Sequence, residues 1–273
     1  RKSHGVALLK VPRYFYIAHL SLHFLHSAAM TTHLNALHQP IGAPLPGWTA
    51  RARPEAVTLT GSHCRLKPLD VQRHGADLLA AHRLDPEGRN WTYLFSGPFA
   101  SDADFLQALE KQAAASDVQH YTVIELATQQ AVGTLALLRM EPAHGVVEVG
   151  HITFSPRLQR TPISTEAQYL LMAYVFDQLG YRRYEWKCDS LNAPSRQAAQ
   201  RLGFVFEGIF RQAVVYKGRN RDTAWFSITD GEWPVLRAAF VAWLDPDNFD
   251  AQGQQRASLA DLRQRKPAPT AAA

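Results

Sequence analysis

The sequence predicts an α/β fold of the mixed α+β kind, with a central mixed sheet and helices on both faces. Its elements follow a clear order: an antiparallel run of strands comes first, then strand–helix–strand–helix, then a closing hairpin. Strands joined by a hairpin pair antiparallel, whereas strands joined through a helix pair in parallel, so the sheet must be mixed. The chain has 273 residues, of which 46% are hydrophobic, and this is enough to bury one core.

Alternating apolar residues between turn-forming residues mark the strands of the first half. These strands cover residues 57–60, 64–68, 121–126, 131–140 and 146–154. Asp70 is placed to cap a helix over residues 71–84, and Ser101 opens a second helix that ends near residue 115. An aromatic loop from Trp91 to Phe95 lies between these two helices.

The second half alternates helices with strands and ends in a hairpin. Helices are predicted over residues 164–179, 192–202 and 232–243, and strands over residues 183–188, 204–208, 213–217 and 223–229. A charged turn that contains Arg219 and Arg221 is expected at residues 218–222. In the last helix, large apolar residues recur at helical spacing and indicate a core-facing stripe of Trp233, Leu236, Phe240 and Trp243.

Composition divides the chain into four expected segments. These are a non-native upstream extension or presequence at residues 1–29, a Pro-rich arm at 30–56, a folded domain at 57–243 and a polar tail at 244–273. Met30 would serve as a translation start, which favours a misassigned start for the first segment. Because residues 1–29 lack acidic residues and contain Arg, Lys and Ser, a transit peptide is the alternative.

The basic excess of the chain lies outside the predicted domain. Residues 1–54 contain six Arg or Lys residues and no acidic residue, which exceeds the net charge of +5 for the whole chain. A basic tail without a basic folded face argues against nucleic-acid binding. The sequence has no run of about 18 apolar residues, so no membrane span is expected. Cys64 and Cys188 are too few for a disulfide framework and indicate reduced thiols in a cytoplasmic protein.

The most informative stretch runs from residue 160 to residue 211. A turn enters a helix at Ser164, Thr165 and Glu166, a short strand follows, and a second helix begins near Asn192 and ends in Leu-Gly-Phe. The free N–H groups of a helix start can bind phosphate groups. This order resembles the GNAT N-acetyltransferases, in particular their ribosomal-protein-acetyltransferase-like (RimJ/RimL-type) branch, and the resemblance covers about residues 57–243.

The resemblance implies acetyl-CoA as the co-substrate and no metal. The residues expected around the pyrophosphate are Gln159, Arg160, Thr161, Ile163, Ser164 and Thr165. GNAT proteins usually have glycine at two positions where this chain has Arg160 and Pro162. Pro162 offers no N–H group, whereas Arg160 adds a positive charge beside the phosphates. A simple capped helix start is the alternative interpretation of this turn.

The pantetheine arm of acetyl-CoA requires unpaired main-chain groups. Gly150 inside a predicted strand indicates a bulge or the close approach of another chain. The resemblance implies that the main chain of the following residues binds pantetheine, namely His151, Ile152 and Phe154. In the family, the Asn of Asn-x-x-Ser contacts pantetheine and the Ser lies near the sulfur atom. Asn192 and Ser195 have this spacing, although a helix cap and a first-turn residue are equally ordinary roles for them.

An amine must be neutral before it attacks a thioester, so a general base is expected. Glu148 is the first candidate because it lies on the strand that leads to the thioester, although the alternation also allows a solvent-facing carboxylate. His151 is the second candidate. Ser195, or as a weaker alternative Tyr216, would protonate the leaving thiolate. Some ribosomal-protein acetyltransferases have a carboxylate where residues 213–215 are Ala-Val-Val here, so that base is absent.

The acceptor side is the part of the site that the sequence describes least. Trp91 and Tyr93 lie in the region that covers the acceptor in this family, where they either line the substrate pocket or pack against the hairpin. The expected acceptor is a primary amine, on a protein N-terminus or a small amine, and the alternative is a small molecule or an aminoacyl conjugate. A catalytically silent acyl-CoA-binding module is the second alternative. The protein is expected to be a monomer or homodimer.

Overall fold

The computed structural model describes residues 33–265. The extension or presequence predicted at residues 1–29 lies outside the described residues, as does the end of the predicted tail from residue 266 onward. The chain divides into two units, with the boundary between Trp48 and Thr49.

The described part of the first unit contains a small hairpin. Its two antiparallel strands are β1 (His33–Leu34) and β2 (Pro40–Ile41). The side-chain oxygen of Asn35 closes the turn, because it accepts hydrogen bonds from the backbone N–H groups of Leu37 and Gln39. Part of the predicted Pro-rich arm is thus an ordered turn.

The second unit is built on one sheet. Its strands are β3 (Leu59–Thr60), β4 (Cys64–Pro68), β5 (Gln119–Glu125), β6 (Ala131–Glu141), β7 (Val146–Phe154), β8 (Arg183–Asp189), β9 (Val205–Tyr216) and β10 (Arg219–Thr229). The eight strands lie in the order β3-β4-β5-β6-β7-β8-β10-β9. β7 and β8 pair in parallel, and the other neighbours pair antiparallel. The predicted mixed sheet is confirmed.

Six helices surround this sheet within residues 33–265. They are α1 (Val71–His82), α2 (Asp102–Ala113), α3 (Pro162–Ala173), α4 (Ala193–Leu202), α5 (Trp233–Leu244) and α6 (Leu259–Gln264). Asp70, Ser101 and Asn192 cap α1, α2 and α4, and each side chain accepts a hydrogen bond from the backbone N–H three residues further on. These caps fix where three of the helices begin.

Two hydrophobic clusters pack against opposite faces of the sheet. In β5, Val123 belongs to a large cluster with residues of α3, α4 and α5, whereas its neighbour Ile124 belongs to a smaller cluster with Leu78 of α1 and Phe105 of α2. Neighbouring strand residues point to opposite faces, so helices cover both sides as predicted. The stripe predicted on α5 is buried in the large cluster.

Helix α3 differs from its predicted bounds at both ends. It begins at Pro162, two residues before the predicted start, because proline fits the first helical position, where an N–H group would have no partner. Its regular part ends at Ala173, and the segment Tyr174–Gln178 continues as a π-helix. The phosphate turn is therefore shorter than the sequence indicates.

The closing hairpin also differs from the prediction. β9 is one continuous strand, with register shifts that absorb the residues predicted to interrupt it. The turn consists of Lys217 and Gly218, which have φ angles of 47° and 69°. Two left-handed residues make the tight turn that suits a hairpin. Arg219 and Arg221 therefore lie in β10, and the charged turn predicted at residues 218–222 is wrong.

The segment predicted as a polar tail contributes to the core. Ser258 caps helix α6: its hydroxyl accepts from the Asp261 N–H, while the Asp261 carboxylate accepts from the backbone of Ser258. Leu259 is buried in the large cluster. The sequence after Asp245 is too polar for this packing to be visible in its composition.

Candidate active site

The sheet opens between β7 and β8. Within residues 33–265, these strands pair at four positions, the last of which joins Val149 to Trp186. Beyond this point, β7 stays paired with β6 as far as Phe154, and β8 stays paired with β10 as far as Asp189. The facing edges of β7 and β8 therefore leave main-chain groups unpaired where the strands diverge. We call this opening the fork.

β7 bends where the fork begins. A Cβ atom on Gly150 would lie 2.9 Å from Cδ2 of Leu138, so only glycine fits without displacing that side chain. The φ angle of His151 is 49°, in the left-handed region, and the register with β6 shifts at the same point. After this bulge, β7 continues along the fork with the residues predicted to bind pantetheine, namely His151, Ile152 and Phe154.

Helix α3 begins without a side-chain cap. Thr161 occupies the N-cap position, but its hydroxyl donates to the Leu158 carbonyl oxygen at 2.7 Å. Pro162 has no N–H group, so Ile163 and Ser164 supply the first backbone donors without intrahelical partners. The Ser164 hydroxyl donates back to the Thr161 carbonyl oxygen at 2.7 Å. An uncapped helix start of this kind suits an anion.

Other side chains of the turn are engaged within the protein. Gln159 Nε2 donates to the Phe154 carbonyl oxygen at 2.9 Å and so ties the turn to the end of β7. Thr165 Oγ1 accepts a hydrogen bond of 3.0 Å from Arg201. Arg160 is exposed, and its φ angle is 61°. Among the residues predicted to bind phosphate, Arg160 offers a charged side chain and the others offer their main chain.

Glu148 is buried in the sheet, with 5% of its surface exposed. It faces away from the large cluster, because its neighbours Val147 and Val149 belong to that cluster. The structure therefore excludes the solvent-facing alternative for Glu148 and places it on the face that carries α1 and α2. It lies one residue before the last pair of β7 and β8.

Two cations lie beside the Glu148 carboxylate. The Lys187 ammonium is 2.9 Å from its Oε2 atom and the Arg139 guanidinium is 3.4 Å from the same atom. Both contacts are ion pairs. Burial raises the pKa of Glu148, and Lys187 and then Arg139 oppose this shift. A carboxylate with a raised pKa is a stronger base than an exposed one.

Ser195 and Asn192 lie together at the start of α4. The Asn192 side chain accepts a hydrogen bond of 3.1 Å from the Ser195 N–H, so it serves as a helix cap. The Ser195 hydroxyl accepts a hydrogen bond of 3.0 Å from Trp186 Nε1, at the last pair before the fork. Cys188 is buried close by, and burial raises the pKa of its thiol. A hydrogen bond from Ser195 opposes this shift, so the Ser195 hydroxyl lies near the fork with the Cys188 thiol as a second partner.

Tyr216 lies at the end of β9 and is buried. Its hydroxyl donates to Oδ2 of Asp189 at 2.7 Å. Burial, and then the Asp189 carboxylate, raise the pKa of Tyr216 to about 12. A phenol with a raised pKa that already donates to a carboxylate is a weaker acid, which counts against Tyr216 as the proton donor.

Trp91 and Tyr93 do not have the same role in the structure. The Trp91 ring is buried and packs edge-on against Phe99 and Phe105. It borders a cavity of about 10 Å³, which is room for about one water molecule. The Tyr93 hydroxyl donates to the Leu191 carbonyl oxygen at 3.3 Å, next to α4. Trp91 is therefore a core residue. Tyr93 joins the aromatic loop to the segment that follows β8.

The hairpin of β9 and β10 holds the aromatic loop. Lys217 Nζ donates to the Trp91 carbonyl oxygen at 2.7 Å, and Arg219 donates to the Thr92 carbonyl oxygen at 2.7 Å. The Arg221 guanidinium lies 5.2 Å from the centre of the Phe95 ring. The basic residues of this hairpin thus bind loop carbonyl groups and an aromatic ring.

Three charged residues of the site were not singled out from the sequence, namely Glu185, Lys187 and Asp189. They alternate along β8 with Tyr184, Trp186 and Cys188, which face the large cluster. This period of two was the signal that could have found them, because it puts Glu185 and Lys187 on the same face as Glu148. Residues 33–265 contain no group of three or more His, Cys, Asp or Glu side chains that could hold a metal ion. Over the same residues, every helix is too short or too polar to cross a membrane.

Relatives of known structure share this architecture. A structure of a GCN5-related N-acetyltransferase from Brucella melitensis is 50% identical, with a TM-score of 0.79, over 80% of this chain and 99% of that one. A structure from Chromobacterium violaceum, named as a probable acetyltransferase of the GNAT family, is 44% identical, with a TM-score of 0.67, over 72% of this chain and 98% of that one.

Sequence comparison gives the same result. The N-acetyltransferase p20 of Bacillus licheniformis, itself uncharacterized, is 25% identical over 170 residues, which are 62% of this chain and 95% of that protein. The family model of the acetyltransferase (GNAT) domain matches residues 64–205, a range that includes the fork, the start of α3 and α4. The predicted family and the predicted enzyme class are therefore confirmed: this chain belongs to the GNAT acetyltransferases.

Proposed function

We propose that the protein transfers the acetyl group of acetyl-CoA to a primary amine by direct attack in a ternary complex. The observation that carries this proposal is the position of the fork, which leads from the buried Glu148 to the uncapped start of α3. One end offers a base and the other offers N–H donors for phosphate groups. The two ends are connected through β7, because Gln159 Nε2 in the turn before α3 donates to the carbonyl oxygen of Phe154 at the end of β7.

The residues that would hold acetyl-CoA fit its chemistry. Its pyrophosphate suits the backbone N–H groups of Ile163 and Ser164 together with the Arg160 side chain. Its pantetheine amides suit the unpaired main chain of His151 and Ile152 in the fork. Bound acetyl-CoA supplies an activated acetyl group as a thioester.

Glu148 is the proposed general base, acting directly or through water. It is buried next to the fork, and its raised pKa strengthens it as a proton acceptor. His151 is the second candidate, although burial, followed by Arg139, lowers its pKa and makes it a weaker base. The amine would lose its proton to Glu148 as the new C–N bond forms.

Ser195 is the proposed donor to the leaving thiolate. Its hydroxyl accepts from Trp186, and its own proton faces the Cys188 thiol, which is a weak acceptor, whereas the Tyr216 proton goes to the Asp189 carboxylate. Asn192 caps α4 through its carbonyl oxygen, which leaves its amide nitrogen for a contact with pantetheine.

The acceptor class is proposed on the resemblance to the RimJ/RimL-type branch: a protein N-terminus or a small amine in the cytoplasm. A small-molecule or aminoacyl-conjugate acceptor is the alternative within the same chemistry. Tyr93, with the loop that Lys217 and Arg219 hold, would border this amine.

Acetyl-CoA consumption by the purified protein tests the proposal. The acceptors are N-terminal peptides, polyamines, amino acids and aminoacyl conjugates, and each product is identified by mass spectrometry. We expect turnover with one class and an acetyl group on its amine. Tight CoA binding without turnover on any amine would instead identify a silent acyl-CoA-binding module.

A further inference from the structure

Charged side chains of alternating sign form a continuous row, and its members come from four strands of the sheet. The row, read from β9 to β6, is Glu207, Arg183, Glu185, Lys187, Glu148 and Arg139. Neighbouring members lie 2.5, 2.7, 2.7, 2.9 and 3.4 Å apart, in that order. Lys187 links Glu148 to the charged residues of β8 and β9.

Lys187 is buried beside the fork. Its side chain is 5% exposed. Lys187 directly follows Trp186, the last residue of β8 that pairs with β7. A buried ammonium group needs compensating partners. It has three: the carboxylates of Glu148 and Glu185, and the ring of Trp225, whose centre lies 3.8 Å from Nζ. These contacts fix one position for the ammonium group.

The two carboxylates beside Lys187 are direct neighbours. Glu148 and Glu185 are paired positions of β7 and β8, and both side chains are at least 90% buried. Like charges at paired strand positions repel each other, and in a buried setting one of them tends to take up a proton. Arg183 also binds Glu185, and Arg139 also lies near Glu148, but Lys187 contacts both carboxylates.

We propose that Lys187 is a positioning residue for acetyl transfer, which keeps Glu148 an ionised and correctly placed carboxylate by offsetting Glu185 beside it. This inference rests on the proposed role of Glu148 as the base. A base must be unprotonated before the amine arrives. Lys187 acts through Glu148 and need not touch the substrate.

The proposal predicts opposite effects for two substitutions. Lys187→Met removes the cation and leaves the two carboxylates face to face, so Glu148 should hold its proton to higher pH. Glu185→Gln removes the like charge and keeps Lys187, so Glu148 should lose its proton at lower pH. In the double variant the two shifts should cancel, so the titration of the Glu148 carboxyl should return towards that of the wild type. If the substitutions only damaged the structure, the losses of the two single variants would add in the double variant.

The test uses two independent measurements on the full chain. The ¹³C signal of the Glu148 carboxyl, assigned by its loss in Glu148→Gln, reports the ionisation of this group without catalysis. The acid side of the kcat/KM profile against pH reports the base in the reaction. In Lys187→Met we expect both to move up by at least about one pH unit, which is a tenfold loss of rate below the midpoint.

Two control variants complete the test. Lys187→Arg keeps the charge and should leave both readouts close to wild type. Lys111→Met makes the same change at an exposed position of α2 and should change neither. If Lys187→Met fails to fold, Glu185→Gln still tests the proposal, because its shift has the opposite sign.

The outcomes separate this inference from the proposed function. An unchanged carboxyl titration in Lys187→Met, or no downward shift in folded Glu185→Gln, overturns the role of Lys187. If the carboxyl titration moves while the rate profile does not, Lys187 controls Glu148 but Glu148 is not the base. That second result would contradict the proposed mechanism and leave the relationship between the two residues intact.

Discussion

The carboxylate of Glu166 fills the space beside Gly61. A Cβ atom on Gly61 would lie 2.6 Å from both carboxylate oxygens. The same carboxylate accepts hydrogen bonds of 2.7 Å from the backbone N–H groups of Ser62, His63 and Cys64. Through this contact, the turn between β3 and β4 holds the first turns of α3, the helix whose start is proposed to bind phosphate.

We expect Gly61→Ala to destabilise the fold by about 1–3 kcal/mol, because the added methyl group displaces a hydrogen-bonded carboxylate. Urea unfolding measures the change. Gly231→Ala is the matched control, since a Cβ atom there meets nothing within 4 Å. Equal stability of the two variants would show that Glu166 can move away from this position at little cost.

Arg160→Glu should weaken CoA binding by about 10- to 100-fold. One unit charge at contact distance contributes about 1 kcal/mol in water, and reversing its sign roughly doubles the effect. Isothermal titration calorimetry at low salt measures it, and Arg160→Gln should give an intermediate affinity. The difference should shrink at high salt. An affinity that does not change with the charge of residue 160 would place the phosphates elsewhere.

Glu148→Gln should lower turnover by about 100-fold or more at neutral pH, because the amide keeps the shape but cannot accept the proton. CoA affinity should stay nearly unchanged. Raising the pH should restore part of the rate, because more of the amine is then already neutral. Steady-state kinetics between neutral and alkaline pH check this, and a normal rate at neutral pH would direct attention to His151.

Ser195→Ala should affect both stability and rate. The indole N–H of Trp186 loses its acceptor, which costs about 1–3 kcal/mol, while Asn192 still caps α4 through the backbone of residue 195. If the hydroxyl also donates a hydrogen bond to the leaving thiolate, turnover should fall by at least about tenfold beyond any loss of folded protein. Ser195→Thr keeps the hydroxyl and should recover much of the rate. A stability loss with an unchanged kcat would leave Ser195 a purely structural role.

His82 should make the protein less stable in acid. Burial lowers its pKa from 6.5 to about 4, with Asp85 opposing the shift. Between these two values the unfolded chain binds more protons than the folded one, so stability falls as the pH falls from 6.5 to 4. Each pH unit in this window contributes up to about 1.4 kcal/mol. His82→Gln should reduce the slope of unfolding free energy against pH by about one proton, and an unchanged slope would show that His82 is not the group responsible.

Local signals in the sequence predicted much of the fold. Asp70, Ser101 and Asn192 each precede a helix and can cap it, so three helix starts were predictable from single residues. The mixed sheet followed from the order of elements alone. The join between the two halves of β9 was missed, because strand bulges depend on the register with β10 and leave little trace in composition.

The candidate site was predictable in its main chain and less so in its side chains. Gly150 indicated the bulge, but the partners of Glu148 come from two other strands and depend on register. Trp91 was expected on the acceptor side, yet its ring completes the smaller core. An aromatic residue in a loop looks the same in sequence whether it lines a pocket or packs beneath it.

The fork interrupts the hydrogen bonding of the sheet along part of one seam. Strands β3 to β7 lie on one side of this seam and strands β8 to β10 on the other, and four residue pairs join β7 to β8. A ligand that pairs with the open edge of β7 would add main-chain hydrogen bonds in the fork, beyond the last of these pairs. A co-substrate bound there would continue the hydrogen bonding of the sheet across the fork, and its release would leave the same main-chain groups without their partner.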